Sequence, residues 1–305
     1  MKNLLSKAKF VTPPSGRPPA AIEIAPEGVL AAALPGPGQP PVYAFERLPP
    51  GAVVPGIAEA NIRMTDLVVG AIRTALGNVS PRTRSVTVVL PDTSVRVFVL
   101  DFDSLPAKPL DALPVLRFRL RKSVPFDVEH AGVSYQVLVE KKSELKVLAA
   151  VIPGPILLEY EAAVRAAGHE PGAVLPSSLA ALASRESMEA MLTANLSGAA
   201  LTTSITNGQD LLLYRTLDLP ENESVRLQEV QRGIAVAAAY FEDKLQARPR
   251  QVYFAGIGGA EQFARFIDDP ELTVTDLEPR PETGAATPLG EFSIAGVAGA
   301  LAGVS

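Results

Sequence analysis

Few side chains in this sequence have the types and spacing that enzyme chemistry requires. The only two histidines, His130 and His169, stand alone, so neither belongs to a closely spaced metal-binding pair. Ser177 and Ser178 precede an apolar helical stretch but lack the G-x-S-x-G turn of a serine nucleophile, and we interpret them as a helix cap. The chain has no cysteine, which excludes thiolate metal sites and a cysteine nucleophile. We therefore expect no catalytic residue and no metal site.

Acidic residues form two close pairs in the middle of the chain, Asp101 with Asp103 and Asp127 with Glu129. General acid–base catalysis would need a pocket that perturbs the pKa of one member of a pair. No such pocket is indicated, and we expect a solvated acidic surface.

One glycine-rich loop has a spacing that suits a bound anion. Gly256, Gly258 and Gly259 join the apolar segment 251–255 to a predicted helix over 259–268. Glycines allow backbone N–H groups to approach a ligand, and the positive end of the helix dipole follows them. The same glycines suit a tight strand-to-helix turn, so both interpretations stay open.

Composition limits the class of protein. The 305 residues are 47% apolar and 20% charged, which excludes a disordered chain and predicts about two domains with a sizeable core. A net charge of −5 provides no overall attraction for nucleic acid or an anionic membrane. The lack of cysteine and of an apolar export signal indicates a cytoplasmic protein. The apolar segment 292–304 is too short to span a bilayer, and we predict a buried helix there.

The elements that must position these residues recur in a fixed order. In the first half we predict strands over 20–24, 29–34 and 42–48, a helix over 57–76 that Gly77 stops, and a strand over 86–90. In the second half we predict a hairpin over 200–217 that turns at Asn207-Gly208, a helix over 224–247 and a strand over 251–255. Because hairpin, helix and strand repeat, we expect a duplicated α/β architecture with a cleft between its halves.

A block of different character lies between the halves. We predict strands over 95–102, 116–120, 133–139 and 147–153, with a proline-broken connection over 122–130. A helix over 154–167 follows, and then a strand that enters a short helix within 170–183. This pattern predicts an inserted α+β subdomain.

Four segments carry a family resemblance. They are VTVVLPDTSVRVFVLDF (86–102), LRFRLRKSVPFDVEHAGVSYQVL (116–138), VLAAVIPGPILLEYEAAVRAAGHEPGAVLPSSLAALA (147–183) and VYFAGIGGAEQF (252–263). Together they resemble the PilM family, the actin-like cytoplasmic proteins of type IV pilus assembly, and more distantly the cell-division protein FtsA. The resemblance implies an actin/Hsp70-like (ribonuclease H-like) α/β fold of two lobes with an inserted small subdomain.

The resemblance also implies a division of the chain. A basic, proline-rich leader covers 1–19, and the first lobe covers 20–92 and 154–192, joined by the C-terminal helix 291–304. The inserted small subdomain covers 93–153, and the second lobe covers 193–290.

Such a fold binds ATP with Mg²⁺ between its lobes, against two hairpin turns and a glycine loop. In the first turn, the family's D-x-G aligns with Glu23, Ile24 and Ala25. Ala25 adds a Cβ, Pro26 removes an N–H donor, and Glu27 brings a second carboxylate toward the phosphates. Glu23 itself is either a metal-facing acid or a solvated or capping one.

In the second turn, the family's D-x-G falls near Asn195, Leu196 and Ser197, or on Gly198 if the alignment slips by one residue. Asparagine carries no charge, so it holds a metal ion less well than aspartate. The two altered turns disfavour nucleotide binding, and we expect no ATP hydrolysis. The residues of this degenerate ATP cleft are Glu23, Gly28, Asn195, Ser197, Gly198, Gly256, Gly258 and Gly259.

The resemblance further implies a partner. In the family, a groove between the small subdomain and the first lobe takes the N-terminal cytoplasmic tail of the bitopic membrane protein PilN, which places the chain at the inner-membrane face. Here Pro125 and Phe126, with Arg119 and Lys122 nearby, suit capture of an extended peptide. The alternative for Phe126 is an ordinary core position.

Three functions remain open on these grounds. The first is a scaffold of a type IV pilus or related secretion or competence machine, with a degenerate nucleotide site. The second is an active actin-like ATPase or small-molecule kinase, in which Glu23 and Asn195 replace the usual aspartates around Mg²⁺ and ATP. The third is a self-associating filament former. The altered turns favour the scaffold.

Overall fold

The fold rests on two five-stranded sheets and a smaller third sheet. A computed structural model describes residues 16–141, 144–197, 199–267, 269–281 and 284–302. In chain order its elements are β1 (Ala20–Ala25), β2 (Gly28–Ala33), β3 (Val42–Arg47), α1 (Thr65–Val79), β4 (Ser85–Leu90), β5 (Arg96–Phe102), α2 (Pro109–Leu120), β6 (Gly132–Lys141), β7 (Glu144–Ile152), α3 (Gly154–Ala166), β8 (Glu170–Pro176), α4 (Ser177–Ala181), β9 (Ala190–Ser197), β10 (Ala200–Asn207), β11 (Asp210–Asp218), α5 (Glu223–Leu245), β12 (Gln251–Phe254), α6 (Gly259–Ala264), β13 (Thr273–Asp276) and α7 (Ala295–Leu301).

The two large sheets repeat one topology. The first has the order β3-β2-β1-β4-β8 and the second the order β11-β10-β9-β12-β13. In each sheet the first three strands are antiparallel, and the last two run parallel to the strand that begins the lobe. The duplicated α/β architecture predicted from the sequence is confirmed. Strand β9 begins at Ala190, three residues before the start proposed for the second lobe.

Helices cover both faces of the first sheet. Apolar residues of α1 and α3, such as Ile72, Leu76 and Tyr160, pack on one face, where they form the largest core. The other face is covered by residues after 288, with Phe292 and Val297 packed on the strands. The predicted buried helix within 292–304 is confirmed as α7.

The last described segment completes the first lobe in two ways. Backbone hydrogen bonds join Tyr43 in β3 to Gly284 and Ala286, at 2.9 and 2.7 Å, so the outer edge of β3 is paired. Helix α7 can lie directly against α4 because residue 299 is glycine. A Cβ at this position would collide with the carbonyl oxygen of Ala180. The first lobe is therefore built from both ends of the described chain.

The inserted subdomain is a three-stranded sheet, in the order β5-β7-β6, with α2 on one face. Its other face packs against α4 and β11, where Leu148 contacts a cluster that includes Leu179 and Tyr214. The strand predicted over 116–120 is wrong, since these residues end α2. The alternation of Leu and Arg suggested a strand, but Ala112, Leu116 and Leu120, spaced four residues apart, are the buried positions.

The helix predicted over 57–76 starts later and runs past Gly77 to Val79. The carboxylate of Glu159 accepts the backbone N–H groups of Asn61 and Ile62, at 2.8 and 2.5 Å, and holds that stretch in a loop. Glycine costs about 1 kcal/mol inside a helix, which the packing of Leu76 and Val79 outweighs.

The hairpin of the second lobe turns one residue later than predicted. Asn207 pairs with Asp210 as part of the ladder, and Gly208 is the first residue of the turn, with φ 58°. Only Gly208 takes the positive φ that was expected of both Asn207 and Gly208.

Candidate interlobe site

A small cavity of about 50 Å³ lies between the lobes, where the sequence predicted a cleft. Four of the residues predicted from the sequence line it: Glu23, Asn195, Ser197 and Gly256. Gly28, Gly258 and Gly259 do not line it. Gly198 lies outside the described residues.

Glu23 is buried near the end of β1, with 7% of its surface exposed, so it is not a solvated acid. The Ser177 hydroxyl donates to Glu23 Oε1 at 2.6 Å, and Asn195 Nδ2 donates to Ser177 Oγ at 3.3 Å. A chain of hydrogen bonds thus runs from the first lobe to the second. Gly296 of α7 covers the other oxygen, with no room for a Cβ between them.

Burial raises the pKa of Glu23 to about 7, and the negative charges of Asp92 and Glu27 act in the same direction. The hydrogen bond from Ser177 opposes this shift. Glu23 is therefore readily protonated near neutral pH.

Asp92, which the sequence interpretation missed, lies buried in a single 3₁₀ turn after β4. The backbone N–H of Ser178 donates to its Oδ1 at 3.0 Å, and the Ser178 hydroxyl donates to Oδ2. From the second lobe, Thr202 Oγ1 donates to Oδ2 at 2.9 Å and the Tyr214 hydroxyl donates to Oδ1 at 3.5 Å. Burial raises the pKa of Asp92, against the effect of these bonds. Asp92 therefore joins the two lobes.

Ser177 and Ser178 do not cap a helix as predicted. They are the first residues of α4, and neither side chain accepts a bond from the helix backbone. Their hydroxyls donate to Glu23 and Asp92 instead. Both serines thus connect α4 to buried carboxylates.

The glycine loop after β12 directs its N–H groups to the protein itself. Ile257 N donates to the carbonyl of Leu196 at 3.4 Å, and Gly258 N donates to that of Glu291 at 3.1 Å. Ala260 N, in the first turn of α6, donates to the carboxylate of Asp276 at 2.8 Å. These donors are already used within the chain.

Two glycines of the predicted cleft are explained by packing. A Cβ on Gly256 would lie 2.7 Å from the carbonyl oxygen of Leu196. A Cβ on Gly28 would collide with the backbone of β3 at Glu46. At both positions the close neighbour is backbone of an adjacent strand.

The residues predicted to bind a partner lie on α2 and the loop after it. Arg119, Lys122 and Pro125 are exposed, whereas Phe126 is half-buried and packs on the core between α2 and the small sheet. This surface is on the opposite face of the sheet from the two lobes. Structure thus places these four residues together but away from the groove between subdomain and lobe.

The acidic pairs of the inserted subdomain are exposed, as expected. Asp127 accepts from His130 Nδ1 at 2.5 Å, and Arg121 pairs with Glu129 at 2.5 Å. Among the residues that the structure describes, no group of three or more acidic or histidine side chains could hold a metal ion.

A narrow slot of about 20 Å³ separates the inserted subdomain from the lobes. It is lined mainly by leucines, including Leu138 of β6, Leu182 after α4 and Leu211 of β11. The Thr206 hydroxyl, also in its wall, is buried without a hydrogen-bond partner. Beside the slot, β6 pairs with β7 and with no other described strand.

No helix within the described ranges is long and apolar enough to cross a membrane.

Comparisons with known proteins are informative at the level of structure. No family model matches the sequence, and no curated protein matches it by sequence. A solved structure of the PilM-PilN type IV pilus biogenesis complex is similar, with 17% identity, coverage of 93% of this chain and 96% of that chain, and a TM-score of 0.64.

Two further structures are similar over most of their length. The cytoplasmic domain of EpsL, an inner membrane component of the type II secretion system of Vibrio cholerae, has 13% identity, covers 87% of this chain and 89% of that chain, and gives a TM-score of 0.50. A Bacteroides thetaiotaomicron protein described as having an actin-like ATPase fold has 10% identity, coverage of 98% of both chains and a TM-score of 0.48. This chain has the two-lobed actin-like ATPase fold, as its resemblance to PilM predicted.

Proposed function

We propose that this chain is a PilM-like scaffold of type IV pilus assembly, or of a related secretion or competence machine. In this role it binds the N-terminal tail of a PilN-like protein at the cytoplasmic face of the inner membrane. The support is the likeness to a PilM structure solved with PilN, together with the apolar slot beside β6, the last strand of the small sheet.

The slot and the strand edge suit an extended peptide. A tail that adds a strand to β6 gains backbone hydrogen bonds, while alternate side chains point toward neighbouring pockets. The slot has room for about one or two methyl groups, so a small apolar side chain fits best. Thr206 Oγ1 offers a hydroxyl to any polar atom of the tail that reaches the slot.

A synthetic peptide of the PilN-like tail is expected to bind the full chain with a Kd of roughly micromolar size. Replacement Leu138→Glu puts a charge beside the slot and should weaken binding at least about tenfold. Fluorescence anisotropy of a labelled peptide measures the Kd of the parent and that of the Leu138→Glu variant. The matched control is Leu158→Glu, on an exposed leucine of α3, which should leave the affinity unchanged.

Two results would contradict this assignment. Absence of saturable binding at micromolar concentrations would argue against the tail as a ligand. Loss of binding on Lys122→Glu, with Leu138→Glu unaffected, would move the site to the surface of α2 that the sequence suggested.

We further propose that the interlobe cleft has lost nucleotide chemistry. Glu23 and Glu27 line the cavity, and the described residues of the lining include no lysine or arginine. A cavity of about 50 Å³ is far below the roughly 300–1,000 Å³ of ordinary ligand sites. The N–H groups of Ile257, Gly258 and Ala260, in and after the glycine loop, already donate to other parts of the chain. These residues do not fit a triphosphate with its metal ion.

Isothermal titration with ATP and Mg²⁺ is therefore expected to give no saturable heat at millimolar nucleotide. The physical reason is that the cavity is small and that the described residues lining it include no lysine or arginine, so the charge of a triphosphate would have no counterion there. Tight binding, with turnover that Glu23→Ala abolishes, would instead establish an active ATPase or kinase.

A further inference from the structure

Helix α2 exposes apolar side chains where a surface helix is ordinarily polar. Its core face, with Ala112, Leu116 and Leu120, packs on the small sheet. On the outer face, Leu110 is 77% exposed and Phe118 is 69% exposed. These two residues are eight positions apart, so they lie on one side of the helix, about two turns from each other.

Positive charge is concentrated along the same helix and at its two ends. Residues 108–122 include Lys108, Arg117, Arg119, Arg121 and Lys122 but only one acidic residue, Asp111, in a chain whose net charge is −5.

Two of these cations are used within the subdomain. Arg117 donates to backbone carbonyls that include Ala131, and Arg121 pairs with Glu129. Lys108, Arg119 and Lys122 are exposed and have no ion-pair partner among the residues that the structure describes.

We propose that the outer face of α2 docks on an anionic membrane surface. Leu110 and Phe118 enter the boundary between headgroups and acyl chains, and Lys108, Arg119 and Lys122 contact lipid phosphates. This pattern of exposed apolar side chains bordered by cations is that of helices that lie in a membrane interface. Each such cation adds attraction to anionic lipid.

The shape of the surface favours a bilayer over a peptide. Sites for small ligands are concave, and peptide sites are grooves or strand edges. Here a single helix forms the outermost layer of a small subdomain, and its large side chains project from it. The proposal goes beyond the tail-binding function, since it concerns the opposite face of the small sheet.

Cosedimentation of the full chain with vesicles tests the proposal. Vesicles of equimolar phosphatidylglycerol and phosphatidylethanolamine should bind the protein, and pure phosphatidylcholine vesicles should bind it at least about tenfold less. Phe118→Ser, and separately the pair Arg119→Glu with Lys122→Glu, should each lower binding to the anionic vesicles roughly tenfold. Added salt should weaken the binding further.

Matched substitutions in the second lobe control for surface apolarity and charge. Val236→Ser replaces an exposed valine of α5, and Lys244→Glu with Arg265→Glu reverses two exposed cations. These variants should bind as the parent does. All variants keep residues 1–15, so any effect of Lys2, Lys7 and Lys9 is common to them, and melting curves verify that each is folded.

Three outcomes would overturn the proposal. They are equal binding to both kinds of vesicle, equal loss in the second-lobe controls, and unchanged vesicle binding in the α2 variants. Capture of an acidic protein partner by α2 without any vesicle binding would assign the face to that partner instead.

Discussion

Replacement of Asp92 by alanine is expected to lower the free energy of unfolding by about 3 to 5 kcal/mol. The substitution would leave the backbone N–H of Ser178 and the hydroxyls of Ser178, Thr202 and Tyr214 buried without their acceptor. Each buried donor that loses its partner costs about 1–3 kcal/mol, and some of these hydroxyls will find new acceptors. Because Asp92 touches both lobes, the loss should also loosen the closed cleft.

Urea denaturation measures the stability change, and hydrogen exchange on β10 and β11 measures the loosening. Asp92→Asn, which keeps the size and one acceptor oxygen, should lose less than Asp92→Ala. Asp218→Ala is the matched control, because Asp218 also links β11 to a neighbouring element through Arg96 but is exposed. Removal of the Asp218 carboxylate should lower the free energy of unfolding by less than about 1 kcal/mol. Equal effects of Asp92→Ala and Asp218→Ala would show that the buried carboxylate does not hold the lobes together.

Glu23→Gln is expected to stabilise the protein at alkaline pH and to have little effect near pH 4.5. The folded pKa of about 7 exceeds the ordinary value of 4.5, so the folded state holds the proton more tightly than the unfolded state. The stability that this proton provides is complete below pH 4.5 and is lost as the pH rises through about 7. The whole loss is about 3 kcal/mol, and glutamine, which needs no proton, avoids it.

Melting temperatures of the parent and of Glu23→Gln, measured between pH 5 and about pH 8, reveal the effect. The gap between the two curves should widen as the pH rises. Glu261→Gln, on an exposed carboxylate of α6, is the control and should follow the parent at every pH. Parallel curves for the parent and Glu23→Gln would mean that Glu23 ionises normally in the folded protein.

The duplicated fold could be predicted because its signals are local. The strands around Glu23 and the hairpin at Gly208 each show apolar runs next to a turn. In both halves of the chain a helix and then a further strand follow the hairpin. The helix that contains Leu116 could not be separated from a strand, since the alternation of Leu and Arg masks a four-residue spacing. That spacing, which includes Ala112 and Leu120, was the available signal.

The interlobe network could not be predicted, because its contacts are distant in sequence. Asp92 follows a strand and precedes Thr93 and Ser94, which is typical of an ordinary turn. Its partners Thr202 and Tyr214 lie 110 and 122 residues further along the chain. Only the three-dimensional fold brings a buried carboxylate and these hydroxyls to one point. The same reason explains why Ser177 and Ser178 resembled a helix cap.

The position of residues 284–301 has a consequence for synthesis on the ribosome. Gly284 and Ala286 pair with the outer edge of β3, and the residues after 288 cover the face of the first sheet that lies opposite α1 and α3. The first lobe begins with β1, but it cannot be completed until residues 284–301 have been translated. Until then the outer edge of β3 is unpaired and one apolar face of the sheet is exposed. The second sheet closes with β13 at Asp276 and can form before that. Nascent chains of this protein should thus depend on chaperones chiefly for the first lobe.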